Sequence, residues 1–212
     1  MNISEQLKVY FVMGSTNCIN HDPEKTLAEA INGGITLFQY REKGEASLTD
    51  ENRVYLGKKL RALCKRYSIP FIVNDDIELA LELESDGVHL GQDDDAPLVA
   101  KKRIKNHMII GLSTHTVEEA KLAVTAGADY IGVGPMFTTK TKTDAHEVVG
   151  PTLISHIRAA GLPDFPIVGI GGITIHNALE VYQSGANGIA VISSISHASS
   201  PREAAEAFNT LR

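Results

Sequence analysis

Cysteine is scarce in this sequence: Cys18 and Cys64 are the only two in 212 residues. Two isolated thiols make neither a disulfide framework nor a zinc signature. Cys18 falls in a predicted loop and Cys64 on a predicted helix, so both are read as reduced structural thiols. Long hydrophobic runs are missing too, and nothing approaches the ~18 apolar residues of a membrane-crossing helix. The amino-terminal MNISEQLKVYFVMG lacks a basic region followed by a long apolar stretch, so no secretory signal is expected. Positive charge is in deficit: 20 Lys and Arg stand against 26 Asp and Glu, for a formal net charge of −6. That balance argues against a nucleic-acid or anionic-membrane partner, although it allows a local basic pocket. These absences together point to the cytoplasm.

What is present is an ordinary globular balance, 43% hydrophobic and 22% charged, enough for a sizeable core. One unit recurs eight times: a short run rich in Val, Ile and Phe, then a helical run. The predicted strands are 8–14, 35–42, 71–75, 87–91, 108–114, 130–135, 166–172 and 188–195. In 48–68, Leu56, Leu60, Leu63 and Tyr67 share a helical face, as do Val117, Ala120 and Val124 in 116–127. Gly33, Gly127, Gly161 and Gly185 sit where helices should stop. Pro23, Pro97, Pro151 and Pro201 sit near helix starts. Strict alternation implies parallel strands joined by crossover helices. A doubly wound open sheet is the rival architecture. The count of eight, and the absence of a dinucleotide fingerprint after the first strand, favour an α/β fold of one domain, a (β/α)8 TIM barrel over residues 1–212.

In such a barrel the chemistry lies at the carboxyl ends of the strands. Strand two ends in QYREK, 39–43. Alternation puts Gln39, Arg41 and Lys43 on the inward face above Leu37, and turns Phe38 and Tyr40 toward the helices. One amide and two cations suit an anion, with Arg offering a bidentate fork; pairing with neighbouring carboxylates is the plainer reading. Strand three ends in VNDD, 73–76, and GQDDD, 91–95, follows strand four. Adjacent carboxylates repel unless a cation lies between them, and magnesium takes one or two carboxylates plus substrate phosphates. The same aspartates also suit helix capping: Asp75 or Asp76, and Asp95 before Ala96–Pro97. Ser113 and Thr114 end strand five, where hydroxyls either meet a phosphate or cap the next helix, capping being the preferred role for Thr114. His89 and His115 are read as structural or pocket-lining. The loop GPMFTTKTKTDA, 134–145, interleaves hydroxyls with lysines and suits a substrate oxyanion; a solvated loop is the alternative. GIGG at 169–172 and ISS at 192–194 occupy the usual phosphate position of loops seven and eight.

These segments in this order resemble the thiamin-phosphate synthase family. The resemblance rests on QYREK, VNDD, VHLGQDD (88–94), GLS (111–113), GPMFTTKTKTDA and IVGIGGIT (167–174), and it runs over nearly the whole chain. Thr138 stands where many members have proline, and Asp93 replaces a common glutamate. The resemblance implies binding of a pyrimidine pyrophosphate by Gln39, Arg41, Lys43 and Asn74, with Tyr40 and Glu42 part of the same binding segment. It implies magnesium (Mg2+) on Asp75 and Asp94, and Ser113 beside the pyrophosphate. It also implies a closing loop of Thr139, Lys140, Thr141 and Lys142, and a thiazole-phosphate cradle at Gly171, Ile192 and Ser193. Arg41, Lys43, Ser113 and Lys142 are the expected catalytic groups. The implied partners are these two small molecules, with homo-oligomerisation left open. A related barrel acting as a thiazole-phosphate tautomerase or regulator is the nearest rival. A sugar-phosphate epimerase or lyase is another, but it would not need the second anion site with paired aspartates.

Overall fold

The computed structural model describes residues 2–18, 22–91, 102–104, 107–139 and 147–211. Eight strands pair in parallel in chain order and close: β1 (Val9–Met13), β2 (Leu37–Tyr40), β3 (Phe71–Asn74), β4 (Gly87–Leu90), β5 (Ile109–Thr114), β6 (Tyr130–Val133), β7 (Ile167–Ile170) and β8 (Gly188–Val191). Closure comes from β8 beside β1, with Tyr10 opposite Ala190. The described helices are α1 (Ile3–Gln6), α2 (Pro23–Asn32), α3 (Asp50–Arg66), α4 (Ile77–Glu82), α5 (Val117–Thr125), α6 (Thr152–Ala159), α7 (Ala178–Gln183), α8 (Ser193–Ser196) and α9 (Pro201–Asn209).

Each strand is buried on both faces, and the pleat divides its side chains between two cores. Tyr10, Val12, Leu37, Ile72, Tyr130, Val168 and Ala190 fill the barrel, with Leu7 and Ile192 in the same cluster. Val9, Phe11, Phe38, Tyr40, Phe71 and Val73 pack outward against the helices. On α3 the buried stripe is Leu56, Gly57, Leu60 and Cys64, while Tyr67 lies just past the helix and is exposed. Cys18 and Cys64 are both free thiols.

The amino end of the barrel is tied by repeated side-chain caps. Thr36, Asp86, Asp129 and Asn187 each precede an even-numbered strand. Each accepts an early N–H of the strand before it: Val9, Phe71, Ile110 and Ile167, at 2.9, 2.8, 2.8 and 2.8 Å. Arg158 adds a clasp, donating to the carbonyls of Leu162, Phe165 and Gly185 and to Asn187. Burial lowers its pKa against the pull of Asp164.

Local chemistry departs from the sequence reading in three places. Gly33 caps α2 with an ordinary φ of −82°, and Gly34, at φ +88°, takes the left-handed turn instead. Thr116, not Thr114, caps α5 by accepting the Glu119 N–H at 3.0 Å. Strand eight stops at Val191, because Ile192 (φ −115°, ψ −87°) leaves extended geometry and Ser193 opens α8.

Candidate active site

The carboxyl end of β2 holds the densest polarity. Gln39 is buried and its Nε2 donates to the Tyr10 hydroxyl inside the barrel at 2.6 Å. Arg41 continues the ladder, its N–H donating to the Met13 carbonyl at 3.0 Å. That keeps its side chain on the face of Gln39, and it too is buried. Lys43, half exposed, reaches across to Asp75 Oδ2 at 3.1 Å. One QYREK cation and one VNDD carboxylate therefore meet, so the anion-site and carboxylate-pairing readings are compatible at one position.

Two members of that run turn their side chains elsewhere. Tyr40 projects to the helix layer, where its hydroxyl donates to the Arg53 carbonyl at 2.9 Å. Burial is the main cause of its raised pKa. The period of two along β2 takes Tyr40 away from the mouth, although the resemblance counts it in the binding segment. Glu42 accepts the Ser15 N–H and hydroxyl at 2.5 and 2.8 Å and the Leu48 N–H at 3.0 Å. Its carboxylate thereby braces the loops after β1 and β2.

The two aspartates after β3 divide their work. Asp76 caps α4 through the Leu79 N–H at 2.9 Å and pairs with Arg53 at 2.9 Å. Asp75 is held at φ +61°, and its N–H donates to the His89 carbonyl at 2.9 Å. A non-glycine residue in that region signals a constraint, and here it presents a hard oxygen donor beside Asn74 and Lys43. Hard carboxylate oxygen suits magnesium. Among the described residues no cluster of three or more His, Cys, Asp or Glu could hold a metal by itself. Asp94, the second candidate ligand, lies outside the described residues, as do Lys140, Thr141 and Lys142.

Ser113 projects inward from β5, and its Oγ lies 3.0 Å from His89 Nε2. His89 Nδ1 lies 2.9 Å from the Tyr130 hydroxyl, which is 2.8 Å from that of Tyr10. His89 thus lines the interior directly beneath Ser113. His115, by contrast, faces Glu119 on α5 at 3.3 Å. Sequence reasoning left Tyr10 and Tyr130 unassigned, and their inward phase on strands one and six was the available signal.

On the other side of the mouth, loops after β6, β7 and β8 enclose a cavity of about 220 Å³, with Thr139, Gly171, Gly172, Ile192 and Ser193 in its wall. Gly171 and Gly172 have φ of +102° and +64°. A Cβ on Gly171 would lie 2.7 Å from Pro135 Cα, and one on Gly172 would lie 2.6 Å from the Thr138 carbonyl oxygen. Glycine is required there because the loop after β6 packs directly on this backbone.

A closed parallel barrel with a buried arginine, a half-exposed lysine, carboxylates and a glycine-lined cavity at the carboxyl ends of its strands defines a (β/α)8-barrel enzyme. The family model described as thiamine monophosphate synthase matches residues 9–195. The chain is 53% identical over 201 residues to the thiamine-phosphate synthase of Bacillus cereus strain AH187, covering 95% of this chain and 90% of that one. Identity and coverage are the same for the thiamine-phosphate synthase of Bacillus thuringiensis strain Al Hakam. A solved structure of thiamine phosphate pyrophosphorylase from Pyrococcus furiosus superimposes with a TM-score of 0.87 at 35% identity, over 99% of this chain and 97% of that one. The chain belongs to the thiamine monophosphate synthase family.

Proposed function

We propose that this protein, folded as one domain, is a cytoplasmic transferase that makes thiamin phosphate. Its substrates would be 4-amino-2-methyl-5-hydroxymethylpyrimidine pyrophosphate and 4-methyl-5-(2-phosphoethyl)thiazole, or the carboxylated form of the latter. The supporting observation is one barrel mouth with two anion-suited regions. Arg41, Lys43, Asn74 and Asp75 lie at or just past the ends of β2 and β3, and the glycine-lined cavity lies after β7 and β8. Among the described residues no helix is long and apolar enough to cross a membrane.

In this reading Arg41 and Lys43 bind the diphosphate, and Ser113 donates to one of its oxygens. Asp75, with Asp94, would hold Mg2+, which when bound neutralises leaving-group charge. The C–O bond to diphosphate breaks first, leaving a pyrimidine-methyl cation stabilised by the electron-rich ring. The thiazole nitrogen, held by the phosphate cradle, attacks that carbon. Lys142, outside the described residues, would add positive charge toward the departing diphosphate. Catalysis is positioning plus electrostatic stabilisation, and no covalent enzyme intermediate forms.

The test is a coupled assay with purified protein. Pyrophosphate and thiamin phosphate should appear together, in equal amounts, only with both substrates and magnesium present. Release of pyrophosphate without the thiazole would instead make the protein a hydrolase. A thiazole-phosphate tautomerase or regulator would bind the thiazole and release no pyrophosphate.

A further inference from the structure

In the turn after β7, four successive backbone oxygens, from Ile170 to Ile173, each accept a hydrogen bond from a different donor. Ile170 takes the Met136 N–H and Gly171 the Phe137 N–H, both at 2.9 Å, from the loop after β6. Gly172 takes the Asn177 side-chain amide at 3.1 Å, and Ile173 takes the Ser194 hydroxyl at 2.6 Å. Among the described residues, the N–H groups of Gly171, Gly172 and Ile173 donate no hydrogen bond. All three residues line the cavity of about 220 Å³.

A trans peptide is planar, with its C=O and the following N–H pointing opposite ways. Pinning a carbonyl therefore aims the next N–H. The loop after β6 aims those of Gly171 and Gly172. Asn177 aims that of Ile173 by holding the Gly172 oxygen. Asn177 is itself held, because its Oδ1 accepts the Thr174 N–H at 2.7 Å. That N–H belongs to the peptide plane whose carbonyl Ser194 holds. One neighbour of the Asn177 amide can only donate and the other can only accept, so its orientation is fixed. A carboxylate there could not donate, and an aliphatic side chain could do neither.

We propose that Asn177 and Ser194 are positioning residues that give the turn its polarity, so that the N–H groups of Gly171, Gly172 and Ile173 converge on the cavity as an anion nest. The inference rests on the proposed function and deepens it. Preference for a phosphorylated over an unphosphorylated thiazole is set by two side chains that act through the backbone. Positive φ at Gly171 and Gly172 permits the turn, but it does not choose which way the 172–173 plane faces. Released from Asn177, that plane can rotate and present a carbonyl oxygen where phosphate needs a donor.

Asn177→Leu keeps the approximate shape and loses both bonds, and Ser194→Ala loses one. The first test titrates substrate-free protein with inorganic phosphate and follows the amide 1H–15N shifts of Gly171, Gly172 and Ile173. These amides should respond in the unaltered protein, and half-saturation should need about tenfold more phosphate in Asn177→Leu. Ser194→Ala should shift in the same direction, and Ser194→Thr, which keeps the hydroxyl, should restore the affinity. The second test is kinetic. KM for the thiazole phosphate should rise about tenfold, while kcat and the KM for the pyrimidine pyrophosphate hold within about twofold. Turnover of the unphosphorylated thiazole alcohol should not change, so the preference for phosphate collapses. Equal losses with both thiazoles would make these residues mere supports of the fold and overturn the proposal. So would amides that ignore phosphate in the unaltered protein, or variants that bind it as the parent does. If Asn177→Leu fails to fold, Ser194→Ala carries both readouts. The phosphate titration involves no reaction, so a weakened nest in a protein that makes no thiamin phosphate would sink the proposed function and leave this inference standing.

Discussion

Asp75 gives the sharpest separation of stability from activity, because its backbone is strained where its carboxylate is useful. Consider Asp75→Gly. At φ +61° an L-residue pays roughly 1–2 kcal/mol, and aspartate somewhat less than most. Glycine removes that cost. Against it stand the greater freedom of glycine in the unfolded chain, about 0.5–1 kcal/mol, and loss of the ion pair with Lys43. The pair joins side chains 48% and 27% exposed, so it contributes about 0–1 kcal/mol. The N–H bond to the His89 carbonyl is backbone and survives. The contributions nearly cancel, and the urea midpoint of Asp75→Gly should correspond to a stability within about 1 kcal/mol of the parent. Activity should not survive in the same way: losing an electrostatic group of this kind costs about two to three orders of magnitude in rate. Asp75→Asn, which tolerates the same backbone and keeps one neutral oxygen, should fall between and need more magnesium for half-maximal rate. Loss of more than about 2 kcal/mol in the glycine variant would place the carboxylate among the supports of the fold. Near-normal turnover in both variants would remove it from the metal site.

Gly172→Ala brings a Cβ to 2.6 Å of the Thr138 carbonyl at a positive φ; the KM for the thiazole phosphate should rise at least about tenfold while pyrimidine affinity holds, since the strain is local to this cavity. Arg158→Ala should lower stability by about 2–4 kcal/mol, leaving three carbonyls and Asn187 without its donors, with kcat unchanged because the clasp lies at the amino end. Burial pushes the Cys64 thiol up to about 12 from an ordinary 9.0, and raises the Tyr10 and Tyr130 phenols as well. These groups ionise in the unfolded chain first, so the native state binds more protons above about pH 9 and stability falls as pH rises. Urea midpoints from pH 7 to 10 should be flat and then decline, with a shallower decline in Cys64→Ala.

Periodicity made the barrel readable. Val, Ile and Phe runs fixed the strands to within a few residues, and the period of two put Leu37, Gln39 and Arg41 inside. The same rule turned Tyr40 outward, although the motif around it is read as one binding segment; a contiguous motif in a strand cannot aim every side chain at one site. Boundaries failed where a single dihedral decides them. Nothing in GIAVISSI says that Ile192 abandons extended geometry, and Gly33-Gly34 offers two adjacent residues for one left-handed turn. Thr114 and Thr116 both suit a cap, and the helix phase chose the second. The interior series was illegible for another reason: its bonds join residues 24 to 120 apart, and no local pattern encodes which inward side chains meet. The nearest clue is small residues on inward phases, Gly111 and Gly132, where neighbouring strands must admit something large.

Barrel interiors of this kind are ordinarily filled with branched apolar side chains, and a partly satisfied polar group there is worse than an apolar one. That asymmetry explains why the Gln39–Tyr10–Tyr130–His89–Ser113 series is continuous. Any one polar member alone would be a buried donor or acceptor without a partner, at a cost of about 1–3 kcal/mol. Joined end to end, each satisfies the next.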